Sequence, residues 1–245
     1  MIDRVVSFFV TNTLPFGYWV TLLPPFMLWA AICLGTAAWL RCRRGVHIGY
    51  TRKVFHFLIF GSSVVIQLGW GTPMLCLFGG AVSLVILLAV LLGDGNPLFE
   101  AIARPTDAPY RTYYVVVSYL ATLMGGLLAN IFFGNLAVTG YLVAGLGDAL
   151  GEPVGTRFGK HPYCLALWRK GVPRRTLEGS LAVGLGSAVA ASLAAVLLHV
   201  PFAAPLLVAS VGLGFVSALV EAAAPHGWDN AVLQFIPTLL AWMVF

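Results

Sequence analysis

The chain has 245 residues, 60% of them hydrophobic and only 9% charged, with a mean hydropathy of +0.92. Soluble domains carry roughly 25% charged residues, so this composition argues against a soluble globular protein and for a multi-pass, all-α membrane bundle. The formal charge of +5 then reads as membrane topology rather than nucleic-acid binding, because Lys and Arg collect at the cytoplasmic face of membrane proteins.

Taken in chain order, residues 1–16 are apolar but contain Asp3, Arg4 and Pro15, the pattern of an interfacial helix. Apolar windows suited to spans follow at 17–40, 54–70, 73–92, 113–133, 136–154, 179–199, 203–220 and 230–245, about eight in all. The first has no basic segment before it and reads as a retained span rather than a cleaved signal; Pro24 and Pro25 predict a kink in it. Short links leave no separate soluble domain, so 1–245 is expected to be one membrane domain, with an N-terminal helix region (1–50) ahead of a catalytic core (51–245). Cys33, Cys42, Cys76 and Cys164 lack CxxC spacing, which argues against a disulfide framework or a thiolate metal cluster. Threaded alternately, the spans put every charged residue except Asp3 and Arg4 toward one face. Arg41, Arg43, Arg44, Arg52, Lys53, Arg157, Lys160, Arg169, Lys170, Arg174 and Arg175 make that face cytoplasmic.

Four constellations stand out. "AGLGDALGEPVGTRFGK" (144–160) places Asp148 and Glu152 one helical turn apart. Carboxylates in a span are costly and imply a wet cavity, a cation or both. Pro153 predicts a helix break at Glu152, and Gly147, Gly151 and Gly155 allow a neighbouring helix or a phosphate to approach the backbone. "TRKVFH" (51–56) sets Arg52, Lys53 and His56 at the start of a span. In "RRTLEGS" (174–180), Thr176 suits a helix N-cap and Glu178 suits its positive end, while freed amides near Gly179 and Ser180 beside Arg175 suit a phosphate. Glu221 and "WDN" (228–230) form the fourth, with Asp229 as catalytic acid or simple N-cap and Asn230 beside it.

Together these supply hard oxygen ligands for Mg²⁺ at Asp148, Glu152 and Asp229, and cations and amides for phosphate. That is the equipment of phosphoryl or nucleotidyl transfer. No GxxxxGK[ST] loop and no kinase-type loop set is present. The ordered motifs "RKVFH", "GDALGEPVGTRFGK", "RRTLEGSLA", Glu221 and "DN" resemble the polyprenol kinase family, which includes phytol, farnesol and dolichol kinases, over about residues 50–237. The chain has Arg175-Thr176 where that family usually has Lys-Ser, and its following proline comes late, at Pro237.

The resemblance implies an integral-membrane enzyme that phosphorylates a long-chain lipid alcohol with CTP and Mg²⁺. On that reading Asp148, His56, Glu178 and Asp229 are catalytic. Lys53, Arg52, Gly147, Gly155, Lys160, Arg175, Thr176, Gly179, Ser180 and Asn230 contact nucleotide or phosphate. Cytidylyl transfer to a phospholipid would use similar groups, and intramembrane acids also mark transport paths.

Overall fold

The computed structural model describes residues 2–164, 175–201 and 203–245. Among them the chain is almost wholly helical: α1 (Ile2–Asn12), α2 (Phe16–Arg44), α3 (Ile48–Trp70), α4 (Thr72–Leu92), α5 (Pro97–Glu100), α6 (Arg111–Phe133), α7 (Ala137–Leu142), a π-helical segment (Val143–Asp148), α8 (Ala149–Phe158), α9 (Leu177–Leu197), α10 (Ala204–Ala223) and α11 (Asp229–Val244). Two short strands, β1 (Pro162–Tyr163) and β2 (Arg175–Thr176), pair antiparallel. Every apolar window expected from sequence falls on helix.

Six helical segments are long and apolar enough to cross a membrane, so the expected count of eight is approximate. Two features explain the difference. The 48-residue segment Arg111–Phe158 is not one rod, because Gly134 adopts φ +57° and the chain doubles back there. Asn130 Nδ2 donates to Tyr141 Oη at 2.5 Å, whereas a straight helix would separate these residues by about 16 Å along its axis. The other is α11, whose 16 residues rise only about 24 Å, short of a hydrocarbon core of about 30 Å.

Contacts divide the chain into two compact units, Met1–Tyr119 and Leu120–Phe245. In the first, α2 packs on α3, α4 and α5. Ala30, Cys33, Leu34 and Ala37 of α2 and Leu77, Phe78 and Ala81 of α4 are buried, and Phe26 meets Phe78 edge-on at 5.6 Å between ring centres. Small residues at this spacing bring helices close, which is how helices associate where lipid removes the hydrophobic drive. Helix α2 runs through Pro24 and Pro25 and ends at Gly45 in the left-handed conformation, φ +64°. Helix α1 touches α4 but has no buried residue, and its Ile2, Val6, Phe9 and Val10 are exposed.

The α4–α6 link in this unit is tied by Arg111. Its guanidinium donates to Glu100 Oε1 and Oε2 at 3.1 and 2.7 Å, to Asp94 Oδ1 at 2.5 Å, and to the carbonyls of Ala103 and Arg104 at 3.1 and 3.3 Å. It also stands over the Phe99 ring at 5.2 Å. This fork ties together the two ends of a link whose own backbone hydrogen bonds are confined to short helical turns.

In the second unit, α8 runs antiparallel along α9 on a glycine seam. A methyl at Gly147 would collide with Ser187, at Gly151 it would stand 2.6 Å from Val183 Cγ2, and at Gly155 2.9 Å from Thr176 Oγ1. The pairing 147 with 187, 151 with 183 and 155 with 176–179 fixes the register. Helices α9 and α10 are likewise antiparallel, with Gly214 against Gly184 and Ala188. Gly140 of α7 lies against the backbone of Gln234 in α11. Gln234 Nε2 donates to the carbonyls of Thr122 and Asn230 at 3.0 and 2.9 Å, and Asn230 Nδ2 to Thr122 Oγ1 at 2.8 Å. These buried amides thus join α6 to α11.

Two predictions follow from this packing. Arg111 N–H donation holds the Glu100 carboxyl below the usual carboxylate range, outweighing its partial desolvation. Because the folded value is depressed, the pair's contribution is complete above the ordinary carboxylate pKa of about 4.3. It is lost as pH falls through the lower folded value. Melting of wild type and Glu100→Gln measured from pH 7 to pH 3 should therefore differ at neutral pH and converge in acid; parallel curves would refute the coupling. Separately, Gly140→Ala forces a methyl onto the Gln234 backbone, whereas a methyl at Gly35 meets nothing within 4 Å. Gly140→Ala should lose about 1–3 kcal/mol and Gly35→Ala should be neutral or mildly stabilising, as read by thermal melting in detergent.

Candidate active site

The candidate site lies at one end of the second unit. Because α8 and α9, and α9 and α10, are antiparallel pairs, the C-terminal end of α8, the N-terminal end of α9 and the C-terminal end of α10 share that end. The short link from Ala224 to Trp228 returns the start of α11 to it.

Asp148 is the last residue of the π-helical segment and is 3% exposed; Glu152, in the first turn of α8, is half-buried. The expected break at Glu152 does not occur: α8 continues through Pro153 to Phe158. The irregularity sits one turn upstream instead. Pro153 cannot donate to the carbonyl of Ala149, and the wider turn from Val143 to Asp148 precedes it. Such π segments inside helices recur at functional sites. The seam also sets depth. Gly147 is level with Ser187, eleven residues beyond Thr176, which places Asp148 about 16 Å, some three turns, further into the bundle than the α9 cap. Ser187 Oγ is wholly buried against Gly147 and makes no hydrogen bond with the described residues.

Thr176 caps α9 as its residue type predicts, with Oγ1 accepting from Gly179 N at 3.1 Å. Glu178, in the first turn, takes His161: Nδ1 to Oε1 is 2.7 Å, and His161 N donates to Oε2 at 3.4 Å. Ser180 Oγ lies 2.5 Å from Tyr163 Oη. Arg175 is ion-paired to Glu221, which is 6% exposed near the end of α10. Lys160 is exposed just beyond α8. The open sides of Gly147 and Gly155 face α9, where Ser187 and Thr176 stand. The N-cap of α11 is Trp228 rather than Asp229; Asp229 is the first helical residue, half-buried, and its Oδ1 accepts from Asn230 N at 3.0 Å.

Among the described residues no three His, Cys, Asp or Glu side chains form a group able to hold a metal ion, so Asp148, Glu152 and Asp229 do not make a three-carboxylate cluster. Arg52, Lys53 and His56 belong to the first unit, half-buried near the start of α3, where the His56 ring meets Phe60 edge-on at 4.7 Å. Arg169, Lys170 and Arg174 lie outside the described residues. His161, Tyr163 and Ser187 were not expected. Their contacts join residues that are distant in sequence, and Ser187, one of two serines in the otherwise apolar run 181–198, was the one available signal.

No protein-family model matches the chain, and no solved structure does. Against curated proteins, the chain is 26% identical over 194 residues to the phytol kinase of Synechocystis, an alignment covering 78% of each sequence. The chain is similar to a phytol kinase. The similarity over 78% of the chain agrees with the resemblance that the motifs carry.

The cap is directly testable. Thr176→Val removes the oxygen that accepts from Gly179 and should cost about 1 kcal/mol, whereas Thr176→Ser should stay within a few tenths of wild type. Equal melting temperatures for the two variants would show that the cap contributes nothing.

Proposed function

We propose that this protein is a membrane-embedded lipid-alcohol kinase that transfers the terminal phosphoryl group of CTP, or of another nucleoside triphosphate, to a long-chain isoprenoid alcohol. The alcohol oxygen forms a bond to the terminal phosphorus as the bond to the β-phosphate oxygen breaks. The hydroxyl proton passes to a carboxylate, and lipid phosphate and nucleoside diphosphate leave.

The observation that supports this reading most is the alignment in the second unit of a capped helix N-terminus and a restrained arginine at its end with two acids, Glu152 and then Asp148, at increasing depth behind them. Thr176 orders the first turn of α9, whose remaining amides favour phosphate oxygens. Arg175 adds a planar, permanently charged fork. Asp148 and Glu152 offer hard oxygen donors, and a divalent ion of the Mg²⁺ type commonly uses one or two carboxylates and completes its shell with substrate phosphates. When bound, such an ion would neutralise charge developing on the transferred group. The half-buried setting of Glu152 and the orphan hydroxyl of Ser187 support a polar interior beside the acid helix. The similarity to phytol kinase supports a kinase acting on a lipid alcohol.

The purified protein, incubated with phytol, farnesol, undecaprenol, dolichol or diacylglycerol and with γ-labelled CTP or ATP, should label a lipid alcohol. Asp148→Asn and Glu152→Gln should each lower the rate by about 10² to 10³, the scale of one lost stabilising group. With α-labelled CTP in a parallel incubation, label reaching the lipid would point to cytidylyl transfer, and folded variants with wild-type rates would remove both acids from the reaction.

A further inference from the structure

Glu221 is the most deeply buried glutamate among the described residues, at 6% exposure, and it sits on an apolar helix. Its partner Arg175 is on a different element, and the pair's side chains differ in accessibility, 28% for arginine and 8% for glutamate. The glutamate is therefore spent on this contact, while part of the guanidinium remains open.

The surroundings fix the arginine from several directions. The backbone of Arg175 pairs with Tyr163 in the β1–β2 bridge, and Tyr163 Oη meets Ser180 Oγ one turn into α9. The next residue, Thr176, is the α9 cap. Glu221 is delivered by the close antiparallel contact of α9 and α10 at Gly184 and Gly214, which makes its position a property of the bundle rather than of a loop.

Energetics argue that stability is not the reason for the pair. Placing an ion pair in a low-dielectric interior costs desolvation that its attraction barely recovers, and well-packed apolar residues usually serve stability as well or better. What a buried carboxylate does provide is orientation. A guanidinium has five donors in a rigid fork; one edge engaged by Glu221 leaves the other directed and immobilised, without the loss of rotamer freedom that a loose arginine suffers on binding.

We propose that Glu221 is a positioning residue for Arg175, holding the guanidinium at the amino end of α9 so that its free edge meets a phosphate of the nucleotide. This rests on the kinase reading for the identity of the anion. It assigns Glu221 no contact with the substrate, and it accounts for a carboxylate placed beside an anion site, where by charge alone it would be unfavourable.

The test uses full-length protein in nanodiscs, with calorimetric binding of CTP and of tripolyphosphate, steady-state kinetics and thermal melting. Glu221→Gln keeps shape and loses charge; it should weaken binding of both ligands and raise the nucleotide KM about tenfold, a fraction of the rotamer restraint on one arginine, with a much smaller change in kcat. Arg175→Ala combined with Glu221→Gln should be no worse than Arg175→Ala alone. The exchanged pair, Arg175→Glu with Glu221→Arg, should recover melting temperature without recovering nucleotide affinity. Unchanged or tighter binding in Glu221→Gln, or recovery of nucleotide KM by the exchange, would overturn the proposal and leave the pair as a helix tie. The kinase reading fails separately: wild type that binds tripolyphosphate but phosphorylates no lipid alcohol would refute that reading and not this one. Wild type that binds neither ligand would refute both.

Discussion

The second unit depends on one contact, the glycine seam between α8 and α9. Glycines at 147, 151 and 155 remove the side chains that would hold these helices apart, and Ser187, Val183, Thr176 and Gly179 fill the space. In a membrane, where apolar side chains gain little by leaving lipid for protein, close backbone approach is a main source of helix association. Here it also sets a register, and the register decides how deep each carboxylate lies. A shift of one turn along α9 would move Asp148 by about 5 Å relative to the α9 cap.

That depth gives the site an elongated form. Arg175, Thr176, Glu178 and Glu221 lie at the end of the bundle, Glu152 is further in, and Asp148 is deepest at the close of the π-helical segment. A polar chain running inward from a helix N-terminus suits a reaction between a charged, water-borne donor and an acceptor held in lipid. On the proposed kinase reading, the cations and amides would meet the donor and the acids would neutralise charge further from water. Buried polar groups elsewhere in the unit serve cohesion. Asn130, Tyr141, Asn230, Gln234 and Thr238 satisfy one another or nearby carbonyls, joining α6, α7 and α11.

Much of this was legible in the sequence because it is local. Apolar length located the helices, Thr176 announced a cap, and the i, i+4 spacing of Asp148 and Glu152 put two acids on one helical segment. The four-residue glycine repeat predicted close approach, but not which of a helix or a phosphate would make it. The rest depends on long-range register. The helix continues through Pro153 and the irregular turn lies upstream of it, at Val143–Asp148, a placement the position of the proline alone does not give. Arg111 with Glu100 and Asp94, His161 with Glu178, and Arg175 with Glu221 pair across links whose path sequence alone leaves open. Asp229 was read as a possible cap from its residue type, yet the chain enters α11 one residue earlier, through Trp228.

The most direct test of the account is disulfide trapping across the seam, in a background where Cys33, Cys42, Cys76 and Cys164 are replaced by Ser. With Cys introduced at Gly151 and Val183, the two β-carbons fall within the roughly 3.5–4.5 Å that a disulfide requires, and mild oxidation in membranes should give a crosslinked peptide by mass spectrometry. Gly151→Cys paired with Val189→Cys, an exposed position further along α9, should give none. Equal crosslinking of both pairs, or of the second alone, would contradict the register on which the placement of Asp148 and Glu152 rests.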